Sequence, residues 1–408
     1  MELIKRNAEK TLERLARSFP AVLVTGARQT GKTTLLTHAP LTKGLEYVTF
    51  DDPDNVTALR ADPKTFMELH KPPVIFDEVQ HVPGIFPYLK MAVDRDRSNG
   101  MYYLTGSQQF ELMKDVSESL AGRIGIVHLT GISLGERTGR FESGPFIPSK
   151  EFLLNRRDIP YTVSPERLWQ IIRNGAFPDV VTGSVLPDDY YASYVKTYVE
   201  RDVRQLTQVA DEIQFITFIT VAAARTGQLV NYTDMAKETG ISEVTAKKWL
   251  SILVTSGLVY LLQPYAANVE KRVVKTPKLY FMDTGLAAYL TKWRTPEVLM
   301  TGAMAGAYFE TFAVSEILKT FYNEGMEPPV YFYRDKDKIE IDLLIEDNGT
   351  LYPVEIKKTA SPSKKDVGSF AMLSRIHSVK TGTGCVVCPC ISLGIIAPDI
   401  FSVPLEAI

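Results

Sequence analysis

Gly26-Ala27-Arg28-Gln29-Thr30-Gly31-Lys32-Thr33 is the stretch on which the fold turns. It spells G-x-x-x-x-G-K-T between an apolar run, Ala21-Val22-Leu23-Val24, and the helix-like start Thr34-Leu35-Leu36. A buried parallel strand leading through such a loop into a helix is the setting a phosphate-binding loop needs. Glycines let backbone N–H groups curl around phosphate oxygens, and the helix N-terminus adds partial positive charge. Lys32 is expected to reach the β- and γ-phosphates and Thr33 to offer its hydroxyl to Mg²⁺. The whole run Gly26, Ala27, Arg28, Gln29, Thr30, Gly31, Lys32, Thr33 and Thr34 is the expected ATP cradle.

Downstream, Pro73-Val74-Ile75-Phe76-Asp77-Glu78 reads as an apolar strand ending in two carboxylates. Asp77 is expected to hold Mg²⁺ through water and Glu78 to activate the attacking water. The other reading is a buried structural acid pair. A third strand, Met101-Tyr102-Tyr103-Leu104, ends in Thr105-Gly106-Ser107-Gln108. Ser107 or Gln108 is the expected γ-phosphate sensor at its tip. Tyr47-Val48-Thr49-Phe50 is a fourth strand, expected beside the phosphate-loop strand. Nothing in these motifs reads the base, so ATP and GTP both fit.

The 408 residues, 45% hydrophobic and 23% charged, suit a globular protein of two or three domains. A net charge of −2 gives no global case for nucleic acid, so any basic face is local. No apolar run is long enough to span a membrane. The opening Met-Glu-Leu-Ile-Lys-Arg has no apolar core, so no secretory signal is expected. Together with the use of ATP, these features predict a cytoplasmic protein without a membrane partner. Cys385, Cys388 and Cys390 cluster, but Val386-Val387 between them reads as core strand. Packing is the expected role, with half a zinc site or a redox pair the alternatives.

Along the chain, the pattern predicts an α/β protein. Residues 1–138 alternate strands and helices behind a leading amphipathic helix marked by Leu3, Ala8, Leu12, Leu15 and Phe19. A connecting helical region is expected over 139–211, with a turn at Asn174–Asp179 and a long helix from about Asp188. Residues 212–298 have the order of a winged helix-turn-helix. Three helices, the third from Glu243 to about Thr255, precede strands Leu258–Leu262 and Leu279–Met282. The third helix carries Lys247, Lys248 and Trp249. The wing segment Lys271-Arg272-Val273-Val274-Lys275-Thr276-Pro277-Lys278 has four bases and no acid. Those charges suit DNA phosphates. Packing or protein docking is the competing role, since Glu243 and Glu270 weaken the basic face.

Residues 299–408 read as a second α/β domain: a helix from about Ala303 to Phe321, then strands at Val330–Arg334, Ile339–Ile345, Leu351–Ile356 and Gly384–Val387. Glu340-Ile341-Asp342 lies on one strand and Glu355-Ile356-Lys357 on the next. Glu355 and Lys357 share a strand face, and Asp342 can join them from the neighbouring strand. Two carboxylates and a lysine suit a Mg²⁺ that activates water for phosphodiester cleavage, with Glu310 as a further carboxylate. A plain Asp342–Lys357 salt bridge is the alternative.

With these motifs in order, the chain resembles the bacterial and archaeal ATP-binding proteins that join an AAA-superfamily ATPase to a C-terminal domain of uncharacterised function. The resemblance is carried by Gly26–Thr33, Phe76–Gln80, Gly106-Ser107, Ser119–Arg123, Tyr198–Val203, Ala224–Gln228, Lys278–Leu286 and Glu340–Lys357. It implies a restriction-endonuclease-like fold of the PD-(D/E)xK type at the C-terminus. Asp342, Glu355 and Lys357 fall on that pattern, and Ile341 stands where the pattern has proline. It also implies a homo-oligomer, with a hexamer-like ring one form. Arg123 is then a candidate for the arginine that completes a neighbouring subunit's site, with Arg28 and Arg137 as competitors and an ordinary salt bridge as the alternative.

Overall fold

The computed structural model describes residues 3–107, 116, 118–141, 144–159, 161–198, 212–265, 276–335, 337–375 and 379–408. The chain forms two compact units. The first holds Met1–Gly144 with Thr255–Gly257 and Phe321–Glu327; the second holds Pro145–Val254, Leu258–Thr320 and Pro328–Ile408.

The first unit is built on a five-stranded parallel sheet. Its strands are β1 (Ala21–Gly26), β2 (Glu46–Thr49), β3 (Val74–Asp77), β4 (Tyr102–Ser107) and β5 (Ile124–His128), in the order β2-β3-β4-β1-β5. Alternation sends Ala21 and Leu23 of β1 into one core with Phe76, Leu104 and Phe86, and Val22 and Val24 into another with Leu12, Leu36 and Val127. Burial on both faces is why β1 reads as an unbroken apolar run. The leading helix is Ala8–Ser18, burying Ala8, Leu12 and Leu15, whereas Leu3 lies before it and is exposed.

One expectation is overturned. β2 does not flank the phosphate-loop strand; it is the edge strand beside β3, and β1 lies between β4 and β5. Glu46 and Tyr47 on this short strand are exposed, which an edge tolerates and a central parallel strand does not.

The second unit opens with helices Lys150–Asn155, Pro165–Asn174, Pro178–Val181 and Pro187–Tyr198. The expected turn at Asn174–Asp179 is locked by Asp283. Its Oδ2 accepts from the Ala176 N–H at 2.6 Å, and its Oδ1 accepts from the Tyr191 hydroxyl at 2.7 Å and the Leu286 N–H at 2.7 Å. Gly175 sits at φ 79°, where an added Cβ would lie 2.1 Å from the Tyr191 oxygen.

Helices Glu212–Ala223, Tyr232–Thr239 and Glu243–Thr255 follow, interleaved with β6 (Gln228–Leu229) and ending in the antiparallel pair β7 (Val259–Pro264) and β8 (Lys278–Phe281). Trp249 is buried against Phe215 and Phe218, at ring distances of 5.1 and 5.5 Å. After helix Ala305–Asn323 come β9 (Val330–Arg334), β10 (Glu340–Asp347), β11 (Thr350–Ile356), β12 (Lys380–Thr381), β13 (Gly384–Cys388), β14 (Gly394–Ala397) and β15 (Ile400–Pro404). β7 pairs in parallel with β9, Gln263 opposite Tyr331 and Pro264 opposite Phe332. One mixed sheet therefore runs β14-β15-β13-β11-β10-β9-β7-β8-β6, with β12 beside β11. Cys385 and Cys388 are buried in β13, and burial pushes the Cys385 thiol up, as for packed core cysteines. Among the described residues, no helix is long and apolar enough to cross a membrane.

Candidate functional site

The loop after β1 has the geometry its sequence calls for. Gly26 takes φ 144°, and a Cβ there would stand 2.0 Å from the Leu129 carbonyl oxygen, so only glycine passes. Gly31, at φ 91°, caps the helix Lys32–His38. Gln29 is exposed with φ 60°, and Thr34 is exposed one residue past Thr33. Arg28 is half-buried within the loop. Thr30 donates to the Ala27 carbonyl at 2.9 Å, holding the loop in its curl. Buried Lys32 turns its ammonium onto the carbonyls of Gly26 at 3.2 Å and Ala27 at 3.0 Å.

Arg6, ahead of the leading helix, braces the same loop. Its guanidinium donates to the Thr30 carbonyl at 2.9 Å, the Thr130 carbonyl at 2.7 Å and Glu136 Oε1 at 3.1 Å. Glu136 also closes a capping box with Ser133, accepting from its N–H at 2.8 Å. His128, ending β5, packs against Tyr322 with ring centroids 4.5 Å apart and the rings tilted by 46°. Burial and then the Lys32 ammonium push His128 down to about 4, so it is neutral at ordinary pH.

The acid pair lies beside this loop. β3 and β4 run in register with Phe76 opposite Leu104, which places Asp77 next to Thr105. Asp77 is 4% exposed and fully engaged. Its Oδ1 accepts from Thr33 at 2.8 Å and Thr105 at 2.5 Å, and its Oδ2 accepts from the Tyr47 hydroxyl at 2.8 Å. Burial, then the bond to Asp77, pushes the Tyr47 phenol up to about 12. Glu78 sits in the left-handed region at φ 57°, its N–H donating to Thr105 Oγ1 at 2.9 Å and its carboxylate accepting from Gln80 Nε2.

These residues fit a nucleotide with its magnesium ion. The loop presents N–H groups and Lys32 where phosphates would lie. Thr33 and Asp77, 2.8 Å apart, are the oxygen ligands a hard divalent cation prefers. Tyr47, Thr105 and Arg6 are not singled out by the sequence, because their partners lie on other strands or far along the chain; Gln80, whose partner Glu78 is two residues away, enters only within the stretch Phe76–Gln80. The strand-tip residue that meets the acid pair is Thr105. Ser107 ends β4 opposite Gly26, and Gln108 lies outside the described residues.

Arg123 opens β5 at the end of the sheet away from the phosphate loop. Its backbone carbonyl accepts from the Ala21 N–H at 3.3 Å, and its side chain pairs with Asp94 at 2.6 Å. It is not part of this chain's own phosphate cradle.

In the second unit Asp342, Glu355 and Lys357 do converge. Lys357 Nζ lies 3.0 Å from Glu355 Oε1 and 3.5 Å from Asp342 Oδ2. Asp342 Oδ2 also accepts from the Ile356 N–H at 2.9 Å, and Glu355 Oε2 from the Asp342 N–H at 3.3 Å. Burial and then Asp342 push Glu355 up to about 7. Burial opposes the charge on Lys357, but Asp342 and Glu355 outweigh it and raise its pKa. Glu310 accepts from the Tyr280 hydroxyl at 2.6 Å and faces Lys278 at 3.4 Å; burial and then Asp342 push it up to about 6. Among the described residues, no three His, Cys, Asp or Glu side chains are grouped to hold a metal.

The expected basic face is smaller than its sequence suggested. Lys278 is 4% exposed and paired with Glu340 and Glu310, so it is a buried counter-charge rather than a phosphate contact. Lys247 is exposed but paired with Glu243 at 2.8 Å, and Lys248 is exposed. Lys271, Arg272 and Lys275 lie outside the described residues.

The sheet order, the loop and the acid pair define an ATP-binding protein of the AAA-type P-loop class. The family model for an AAA domain matches residues 18–138. Two domains of unknown function match further on, DUF8612 over 165–297 and DUF4143 over 305–395. The uncharacterized protein Rv2008c of Mycobacterium tuberculosis (strain ATCC 25618 / H37Rv) is 31% identical over 367 residues, covering 89% of this chain and 76% of that one. Mb2031c of Mycobacterium bovis, also uncharacterized, matches with the same values. The chain belongs to the family of these mycobacterial proteins. Among solved structures, the Walker-type ATPase PABY2304 of Pyrococcus abyssi is similar at 14% identity and a TM-score of 0.45, over 71% of this chain and 96% of that one.

Proposed function

We propose that the chain is a Mg²⁺-dependent ATPase that couples its nucleotide state to DNA. The observation that carries the ATPase reading is the joined pair Thr33–Asp77, with Glu78 fixed beside it through Thr105. Thr33 and, through water, Asp77 would hold the ion, which would neutralise phosphate charge. Lys32 leaves its loop carbonyls for the phosphates, and Glu78 takes the proton of the attacking water. Lys32→Ala is expected to abolish nucleotide binding. Glu78→Gln is expected to bind ATP yet hydrolyse it far more slowly, since only water activation is lost. Equal turnover by Glu78→Gln and the parent would refute the assignment.

The DNA reading draws support from the helix–strand–helix–helix–hairpin order over 212–281, which is that of a winged helix, with exposed Lys248 on its third helix. The convergent Asp342, Glu355 and Lys357 suit a nuclease-like neighbour. We also propose a homo-oligomer, with Arg123 facing another subunit's nucleotide. Light scattering with a non-hydrolysable ATP analogue tests this; a monomer in every nucleotide state counts against it.

A second reading is favoured by the burial of Lys278 and the pairing of Lys247 with Glu243, which thin the basic face. The later regions then dock a protein, and ATP acts as the switch. Stimulation of ATPase activity by DNA decides between them. Salt-dependent affinity lost on charge reversal of Lys271, Arg272 and Lys275 supports DNA. No DNA binding with ATP present supports the protein switch.

A further inference from the structure

We propose that Gln80 is a positioning residue for the hydrolytic water, working as a pair with Glu78. The inference rests on the ATPase reading above and adds a residue to it. Gln80 lies in the single 3₁₀ turn Val79–His81, pinned by Val79, which is 0% exposed in the core. Its Nε2 donates to Glu78 Oε2. This contact fixes the orientation of the amide, since the reverse would set two oxygens against each other. Gln80 Oε1 is thereby turned away from Glu78, and it is buried with no donor among the described residues.

A buried carboxamide oxygen without a donor is uncommon, because buried polar atoms normally find partners. Here it stands beside a carboxylate that is itself held rigidly. The Glu78 backbone keeps a left-handed conformation, and its N–H is fixed by Thr105. Residues held in such sparsely populated conformations cluster at functional sites. Glu78 and Gln80 together offer two acceptors to one molecule with two O–H donors, which is a water. One O–H goes to Glu78, the other to Gln80 Oε1, and the water's lone pair is left for the γ-phosphorus. The step balances. The water oxygen bonds to phosphorus, its proton passes to the Glu78 carboxylate, and the bond from phosphorus to the β,γ-bridging oxygen breaks. ADP departs with that electron pair, and Glu78 returns the proton to solvent.

The test uses the full chain as wild type, Gln80→Leu and Gln80→Glu. Binding of the non-hydrolysable analogue AMP-PNP with Mg²⁺ is measured by calorimetry, and kcat and KM for ATP are measured across pH. Gln80→Leu is expected to keep analogue affinity within about twofold while kcat falls roughly 10- to 100-fold, as for a reacting group displaced by about an ångström. Gln80→Glu sets a second carboxylate against Glu78 and is expected to move the acid limb of the kcat profile up by about one pH unit. The inference is overturned if Gln80→Leu turns over like wild type. It is also overturned if affinity and turnover fall together, which would make Gln80 part of the binding site or the fold. A wild-type protein that binds AMP-PNP but never hydrolyses ATP overturns the ATPase reading and this inference together.

Discussion

Thr105 joins the two acids of the nucleotide site: its hydroxyl donates to Asp77 Oδ1 at 2.5 Å and accepts from the Glu78 N–H at 2.9 Å. A single side chain thus ties the proposed ion ligand to the proposed base. Thr105→Val keeps the shape and removes both bonds. We expect a stability loss of about 1–3 kcal/mol in urea unfolding, since a buried carboxylate and an N–H each lose a partner. Turnover is expected to fall further than affinity, because Glu78 is freed from its fixed backbone.

Arg6 is the brace of the phosphate loop from outside the motif. Arg6→Ala would leave Glu136, 3% exposed, without its cation and free the Thr30 carbonyl of the loop and the Thr130 carbonyl after β5. Removing one partner of a buried pair costs about 3–5 kcal/mol. Chemical denaturation should show that loss, with weaker nucleotide binding. Wild-type affinity in a destabilised Arg6→Ala protein would mean that the loop keeps its own shape.

His128 reports on Lys32. Its pKa is held at about 4 by burial and by the lysine's charge. Phosphates drawn to Lys32 cancel part of that charge, so the His128 pKa should rise when nucleotide binds. Imidazole shifts followed by NMR with and without AMP-PNP check this; an unchanged midpoint would place the phosphates elsewhere. In the absence of nucleotide the sign for stability is fixed. The folded protein binds its proton only near pH 4, whereas the unfolded chain binds it near the ordinary histidine value. His128 therefore lowers stability as the pH falls through that window.

Glu355 has the opposite linkage. With a pKa raised from 4.5 to about 7, the folded chain holds a proton there that the unfolded chain has released. Its contribution is greatest at low pH and is lost as the pH rises through about 7. Glu355→Gln mimics the protonated form. Its stability relative to wild type should increase between pH 5 and pH 8 in denaturant titrations. A constant difference across that range would show that Glu355 is ionised throughout.

The phosphate loop, the acid pair and the Asp342–Glu355–Lys357 group were legible because each is local or needs only the alternation of one hairpin. Gly26, Lys32 and Thr33 lie within a single strand–loop–helix passage. Leu343 pairs with Val354, and that antiparallel register carries Asp342 to Glu355. What was misread depends on long-range order. β2 was expected beside β1 because the strand order of a parallel sheet is written nowhere in local pattern. Lys278 was counted as surface charge because its partner Glu310 lies 32 residues on. Thr105 was passed over because only the pairing of β3 with β4 brings it to Asp77.

The parallel pairing of Gln263 with Tyr331 and Pro264 with Phe332 governs how this chain can be taken apart. A fragment ending near residue 298 would leave β7 with a bare edge where β9 had been, and the complementary fragment would expose the matching edge of β9. Bare edges of this kind seek other strands, so both pieces should self-associate when produced alone. The regions matched as two separate families of unknown function share this seam. A recombination event that swapped one without the other would have to rebuild the seam, so the two should travel through evolution as a single heritable module.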